Sequence, residues 1–152
     1  IMSRFAWSDT IIMAAAVADF RPTQPSTHKL KKRHRPVTHL DLTPTEDILQ
    51  ELGARRTTQF LVGFAAETED LLAHAREKLH AKHVDLLVAN DVSAAGSGFG
   101  SDTNRVVLLG ADGQAEEVPL LPKREVADRI LDRILALPTG RRTTKKPVRF
   151  HR

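Results

Sequence analysis

Three apolar runs in this sequence end beside residues that can do chemistry. Ile11 to Val17 leads into Asp19 and Phe20. "QFLVGFAA", Gln59 to Ala66, carries Phe64 near its end and leads into Glu67 and Thr68. "VDLLVA", Val84 to Ala89, leads into Asn90, Asp91 and Ser93. Small residues stand next to the polar ones, above all Ala14, Ala15 and Ala16, so a flat ligand could approach the backbone there. Asp and Asn can read amino and hydroxyl groups. Lysines complete the set. Lys29 opens the run Lys29-Leu30-Lys31-Lys32, and Lys78 and Lys82 are four apart, on one face of a helix. Acids that read a polar ligand, with lysines that neutralise its phosphates, form a coherent pattern.

Each residue alone also has a plainer reading. Asp19 suits a turn after a strand, and Asn90-Asp91 suits an Asx-turn. Phe64 suits core packing. Lys78 and Lys82 suit a solvated helix face, and Lys29 a basic loop. The combination says more than the parts only if the strand ends lie at one edge of one sheet.

The surrounding pattern predicts such a sheet. Residues 1–8 read as the end of a helix. Ile11 to Val17 is a strand-length apolar run, as in a strand buried on both faces. Pro22 and Pro25 make 21–28 an extended loop. Lys29 to Lys32 and Val37 to Leu42 are short strand candidates around a basic turn. Thr45 offers an N-cap for a helix with Glu46 and Asp47 in its first turn and Ile48, Leu49 and Leu52 at helical spacing. After the second strand, Thr68 caps a helix to about Lys82, with Leu71, Leu72, Ala75 and Leu79 on one face. Beyond the third strand come a Gly-rich loop at 96–100 and a hairpin across Ala111-Asp112-Gly113. A last helix, Lys123 to Leu137, carries the stripe Val126, Ile130, Ile134 and Leu137. Strand–helix–strand–helix–strand argues a Rossmann-like α/β fold: a mainly parallel sheet with flanking helices, plus a short β arm or flap and a C-terminal hairpin. In such sheets ligands bind beyond the carboxyl ends of the strands. Residues 1–137 form the expected domain, and 138–152 a basic tail expected to be disordered.

Composition narrows the classes. The chain has 152 residues, a formal charge of +4 and 41% hydrophobic residues. No apolar run is long enough for a membrane span. Cysteine is absent, which excludes disulfides and thiolate catalysis and fits a cytoplasmic location. The seven histidines are scattered without metal-ligand spacing, so no metal-binding residue is assigned. "GSGFG", Gly96 to Gly100, has the wrong spacing for a dinucleotide fingerprint. The basic tail, Arg141 to Lys146, invites nucleic-acid binding, but no recognition motif accompanies it.

The order and spacing of "AAAVADFRP", "KLKK", "TEDIL", "VGFAAET", "KLHAK" and "VANDV" closely resemble the phosphopantothenate–cysteine ligase domain of bacterial coenzyme A biosynthesis, from about residue 9 to 137. The resemblance implies CTP and Mg2+, with no FMN in this segment. The substrates would be 4'-phosphopantothenate and L-cysteine, joined through an acyl-cytidylate, in a homodimer whose interface includes Val37 to Leu42. It implies Asp19 as the nucleotide-contacting acid, Ala14 to Ala16 near the acyl-cytidylate, and Glu46, Asp47, Ile48 and Leu49 as the cytosine-reading segment. Phe64, Lys78 and Lys82 are nucleotide-binding by the same correspondence. Lys29 is the flap lysine of the second step. Phe20, Asn90 and Asp91 remain candidate strand-end residues.

The sequence also departs from that pattern. Arg33 stands where a Ser usually follows the lysines, and "TEDIL" stands for "NPDIL". The glycine-rich first turn and "SSG" segment of the family have no counterpart, so the expectation is a fragment of a full ligase, with a reduced homologue as the alternative. Two other functions compete: a non-catalytic nucleotide-binding module, and a basic nucleic-acid-interacting domain.

Overall fold

The structure, a computed structural model, describes residues 1–29, 39–67, 70–93, 96–97 and 100–137. In chain order the elements are α1 (Met2–Phe5), β1 (Thr10–Met13), β2 (Phe20–Pro22), β3 (Leu42–Pro44), α2 (Ile48–Arg55), β4 (Phe60–Glu67), α3 (Leu71–Ala81), β5 (Leu86–Asp91), β6 (Thr103–Gly110), β7 (Ala115–Pro122) and α4 (Lys123–Ala136). They fall into two compact units, 15–48 and the remainder of the chain.

The larger unit is a five-stranded sheet in the order β1-β4-β5-β6-β7. β1, β4 and β5 are mutually parallel, while β6 is antiparallel to both of its neighbours. Four of the five strands therefore share one direction. The fold is the Rossmann-like α/β arrangement that the strand–helix alternation predicts, with the expected C-terminal hairpin. Its turn has Gly113 at φ 80°, where a Cβ would be strained.

Alternation along the strands divides the core in two. One sheet face presents Val62, Leu86, Val88, Val106, Leu108 and Val118 to the α4 stripe of Val126, Ile130, Ile134 and Leu137. The opposite face carries Gly63 and Leu87 beneath α2, where a Cβ on Gly63 would meet Leu49 Cδ2 at 2.7 Å. The α3 face bearing Ala75 and Leu79 is buried.

The smaller unit, 15–48, is built on a two-stranded antiparallel ribbon, Phe20↔Pro44, Arg21↔Thr43 and Pro22↔Leu42. Backbone bonds extend it at both ends: Thr45 N–H to the Asp19 carbonyl at 2.8 Å, and Thr23 N–H to the Asp41 carbonyl at 2.9 Å. Pro22 is tolerated because a two-stranded ribbon leaves one side of each strand without a ladder partner.

Several sequence-based boundaries move. The strand expected over Ile11 to Val17 stops at Met13, and Ala14 to Ala18 have no regular structure. Nor is it buried on both faces among the described residues, where β1 pairs with β4 alone and Ile12 is 43% exposed. An apolar run cannot distinguish a central strand from an edge strand. The helix expected from Glu46 starts at Ile48. Thr45 Oγ1 donates to the Ala18 carbonyl, so this hydroxyl serves the ribbon. Leu72 is exposed on α3, one step of about 100° from Leu71. β3 begins where the second arm strand was expected to end, and its partner is Phe20–Pro22, which overlaps the 21–28 region expected to be loop at Arg21 and Pro22. Residues 30–38, including Val37 and most of the lysine run, lie outside the described residues, as do Thr68 and the tail.

Candidate functional site

β4 and β5 run side by side to their carboxyl ends, pairing Ala65↔Ala89, Ala66↔Asn90 and Glu67↔Asp91. Asn90 and Asp91 are therefore the last two residues of β5 rather than residues past it. The parallel partner keeps the ladder going to Glu67. Because strand side chains alternate, Glu67 and Asp91 share the α3 face of the sheet, while Ala66 and Asn90 point to the other.

The α3 face holds the lysines. Lys78 lies nearly two turns into α3, yet its Nζ is 2.5 Å from Glu67 Oε1 at the end of β4. Helical side chains lean toward the N-terminus of their helix. Here that direction leads to the carboxyl ends of the strands. His74, one turn earlier, places Nδ1 3.4 Å from Glu67 Oε2. The Glu67 side chain is 10% exposed, whereas the lysine and histidine side chains are each about half exposed. Lys82 reaches α2, with Nζ 3.4 Å from Gln50 Oε1. α2 approaches so closely because Gly53 has no Cβ, which would stand 2.0 Å from the Lys82 carbonyl oxygen. Leu49, above Gly63, completes this group.

Phe64 is elsewhere. It is half-buried and packs against the apolar cluster beneath α4, so its side chain sits as a core residue on the face opposite Lys78 and Lys82. Asn90 shares that face, and its Oδ1 accepts from Ser97 Oγ at 3.1 Å. Asp91 makes the Asx-type arrangement, its Oδ1 accepting from Ser93 N–H at 3.0 Å and Ser93 Oγ at 2.6 Å. It also lines an open cleft of about 490 Å3 between the start of α3 and β6, together with Arg76, Arg105 and Glu117. Ala14, the first residue past β1, is exposed.

Unit 15–48 carries the other candidates. Ala15, Ala16, Asp19, Phe20, Lys29, Glu46 and Asp47 are exposed, and Ile48 is half-buried. The Asp19 backbone is fixed by Thr45, while its carboxylate has no hydrogen bond or ion pair among the described residues. Asp19 thus sits on an ordered ribbon end with its acid facing solvent.

The sequence placed Glu67 after a strand without giving it a role, and His74 was only one of seven scattered histidines. The pairing depends on tertiary placement, eleven residues apart for Glu67 and Lys78. Among the described residues no group of three or more His, Asp or Glu side chains is placed to hold a metal ion. Among the same residues, no helix is long and apolar enough to cross a membrane.

The fold is a Rossmann-like α/β domain with acidic and basic side chains at its strand ends. Residues 1–137 match the DNA/pantothenate metabolism flavoprotein C-terminal domain family, and the chain belongs to that family. It is 49% identical over 145 residues to the coenzyme A biosynthesis bifunctional protein CoaBC of Bacillus subtilis (strain 168), covering 94% of this chain and 36% of that protein. A cysteine/cysteine sulfinic acid decarboxylase from an unknown prokaryotic organism is 41% identical over 134 residues, covering 88% of this chain and 37% of that protein. Among solved structures, the crystal structure of the C-terminal domain of coenzyme A biosynthesis bifunctional protein CoaBC superposes with a TM-score of 0.68 at 35% identity, covering 88% of this chain and 56% of that one. The chain thus spans about a third of the length of these curated relatives.

Proposed function

We propose that this chain is part of a phosphopantothenate–cysteine ligase that uses CTP. Family membership across residues 1–137 carries the reading, supported by the likeness to proteins named for coenzyme A biosynthesis. In the first step a carboxylate oxygen of 4'-phosphopantothenate attacks the α-phosphorus of CTP, and pyrophosphate leaves. In the second step the amine of L-cysteine attacks the acyl carbon. The amide bond forms, CMP departs with the carboxylate oxygen, and the amine gives up its proton.

The residues support these steps through charge and position. Lys78 and Lys82 supply positive charge for the phosphates, which repel an incoming carboxylate unless that charge is cancelled. Magnesium carried on the triphosphate would add to that cancellation, and no residue of the chain is assigned to it. The segment Glu46 to Leu49 enters α2, and its backbone groups are the ones that would read the amine and carbonyl of cytosine. Asp19 offers a solvent-facing carboxylate for hydroxyl or amino groups. Lys29 acts on the acyl-cytidylate in the second step.

The test is pyrophosphate release by the natural full-length polypeptide with CTP and 4'-phosphopantothenate but no cysteine. Release that requires both substrates supports acyl-cytidylate formation. CTP binding with no release would select the non-catalytic nucleotide-binding reading instead.

A further inference from the structure

The Glu67–Lys78 pair is asymmetric in a way that bears on function. Glu67 is the last residue of β4, in a rigid ladder against Asp91, and its side chain is nine-tenths buried. Lys78 is long, half exposed and carried on a helix surface. Left alone, such a side chain samples many rotamers, and fixing it costs conformational entropy. The buried partner therefore determines where the ammonium sits: 2.5 Å from Glu67 Oε1, beside the carboxyl end of β4. His74 contacts the other carboxylate oxygen, which keeps the carboxylate engaged from both sides.

We infer that Glu67 is a positioning residue that holds the Lys78 ammonium at the strand end, prepared for the phosphates of the nucleotide. The inference rests on the nucleotide reading of Lys78 given above and adds a residue to it. Glu67 touches neither substrate in this role. Two opposing effects follow from a carboxylate near a polyphosphate. Its negative charge weakens ground-state binding, while the order it imposes on Lys78 favours the transition state, where charge shifts onto the departing pyrophosphate. A preorganised lysine should therefore show in kcat more than in KM.

The experiment is a double-mutant cycle on CTP-dependent ligation in the natural full-length polypeptide, with kcat, KM for CTP and melting temperature read for each protein. Glu67→Gln keeps the size of the side chain and removes its charge. The expected result is a fall in kcat of about tenfold, with KM for CTP unchanged or lower. Lys78→Met should lower kcat/KM about 100-fold, and the double variant should match Lys78→Met alone. Lys78→Arg keeps the ion pair and should retain more activity than Lys78→Met.

If Lys78→Met is impaired but the Glu67→Gln effect is absent, or multiplies in the double variant, the positioning role is overturned and the nucleotide reading stands. A loss of melting temperature in Glu67→Gln with kcat per folded molecule intact would also overturn it, since that is what a purely structural pair gives. If Lys78→Met itself is silent, the nucleotide reading of Lys78 fails and the positioning role fails with it.

Discussion

Asp85 Oδ2 accepts a hydrogen bond from the buried backbone N–H of Leu61 at 2.9 Å. The same oxygen pairs with the Arg56 guanidinium. The Asp85 backbone continues the connection: its N–H donates to the Leu61 carbonyl at 2.9 Å, and its carbonyl accepts from Ala111 N–H at 2.8 Å. One residue thus ties the start of β4, the chain just after α2 and the β6–β7 turn together. Asp85→Ala would leave a buried N–H without its acceptor, which costs about 1–3 kcal/mol, and would strip Arg56 of its partner. We expect Asp85→Ala to lose about 2 kcal/mol in denaturant unfolding, and Asp85→Asn less, since its amide oxygen can still accept from Leu61. A loss below about 0.5 kcal/mol in Asp85→Ala would show that the contact is dispensable.

Gly53 tests the α2–α3 approach. An added methyl would stand 2.0 Å from the Lys82 carbonyl oxygen, which is backbone and cannot swing aside. Alanine improves helix propensity by about 1 kcal/mol, but overpacking of this kind costs about 1–3 kcal/mol and here acts against a peptide group. The clash should win. Gly53→Ala is expected to lower the melting temperature and, by shifting Lys82, to weaken CTP binding in calorimetry. Unchanged stability would mean that α2 can move away freely.

Asp19→Asn should weaken CTP binding without changing thermal stability in the absence of ligand. The residue is exposed, its carboxylate has no partner among the described residues, and its fixed backbone bond from Thr45 survives the substitution. A large fall in melting temperature would instead make Asp19 a turn anchor.

Lys29→Gln should separate the two chemical steps. A residue that acts on the acyl-cytidylate leaves CTP affinity and pyrophosphate release nearly intact while amide formation drops. Equal loss of all three in a single-turnover comparison would make Lys29 an ordinary phosphate ligand.

The parallel core was legible because its strands are apolar runs bounded by helical periodicity, and Gln59 to Ala66 lies within one residue of the observed strand. The β6–β7 hairpin was legible from Asp112-Gly113. The ribbon was not. Phe20–Pro22 contains a proline and exposed side chains, so nothing in its local pattern marks it as a strand, and its partner lies some twenty residues away. The candidate site divides in the same way. Spacing alone placed Lys78 and Lys82 on one helix face, but no periodicity reveals that Phe64 turns toward α4 or that Glu67 captures Lys78. Those facts depend on which sheet face each helix covers.

CTP-dependent ligation is read most directly by mass-spectrometric detection of the product when the natural full-length polypeptide is given 4'-phosphopantothenate, L-cysteine, magnesium and either CTP or ATP. The expected result is phosphopantothenoylcysteine and CMP in equal amounts, with CTP clearly preferred. No product with either nucleotide, from protein shown to be folded, would contradict it.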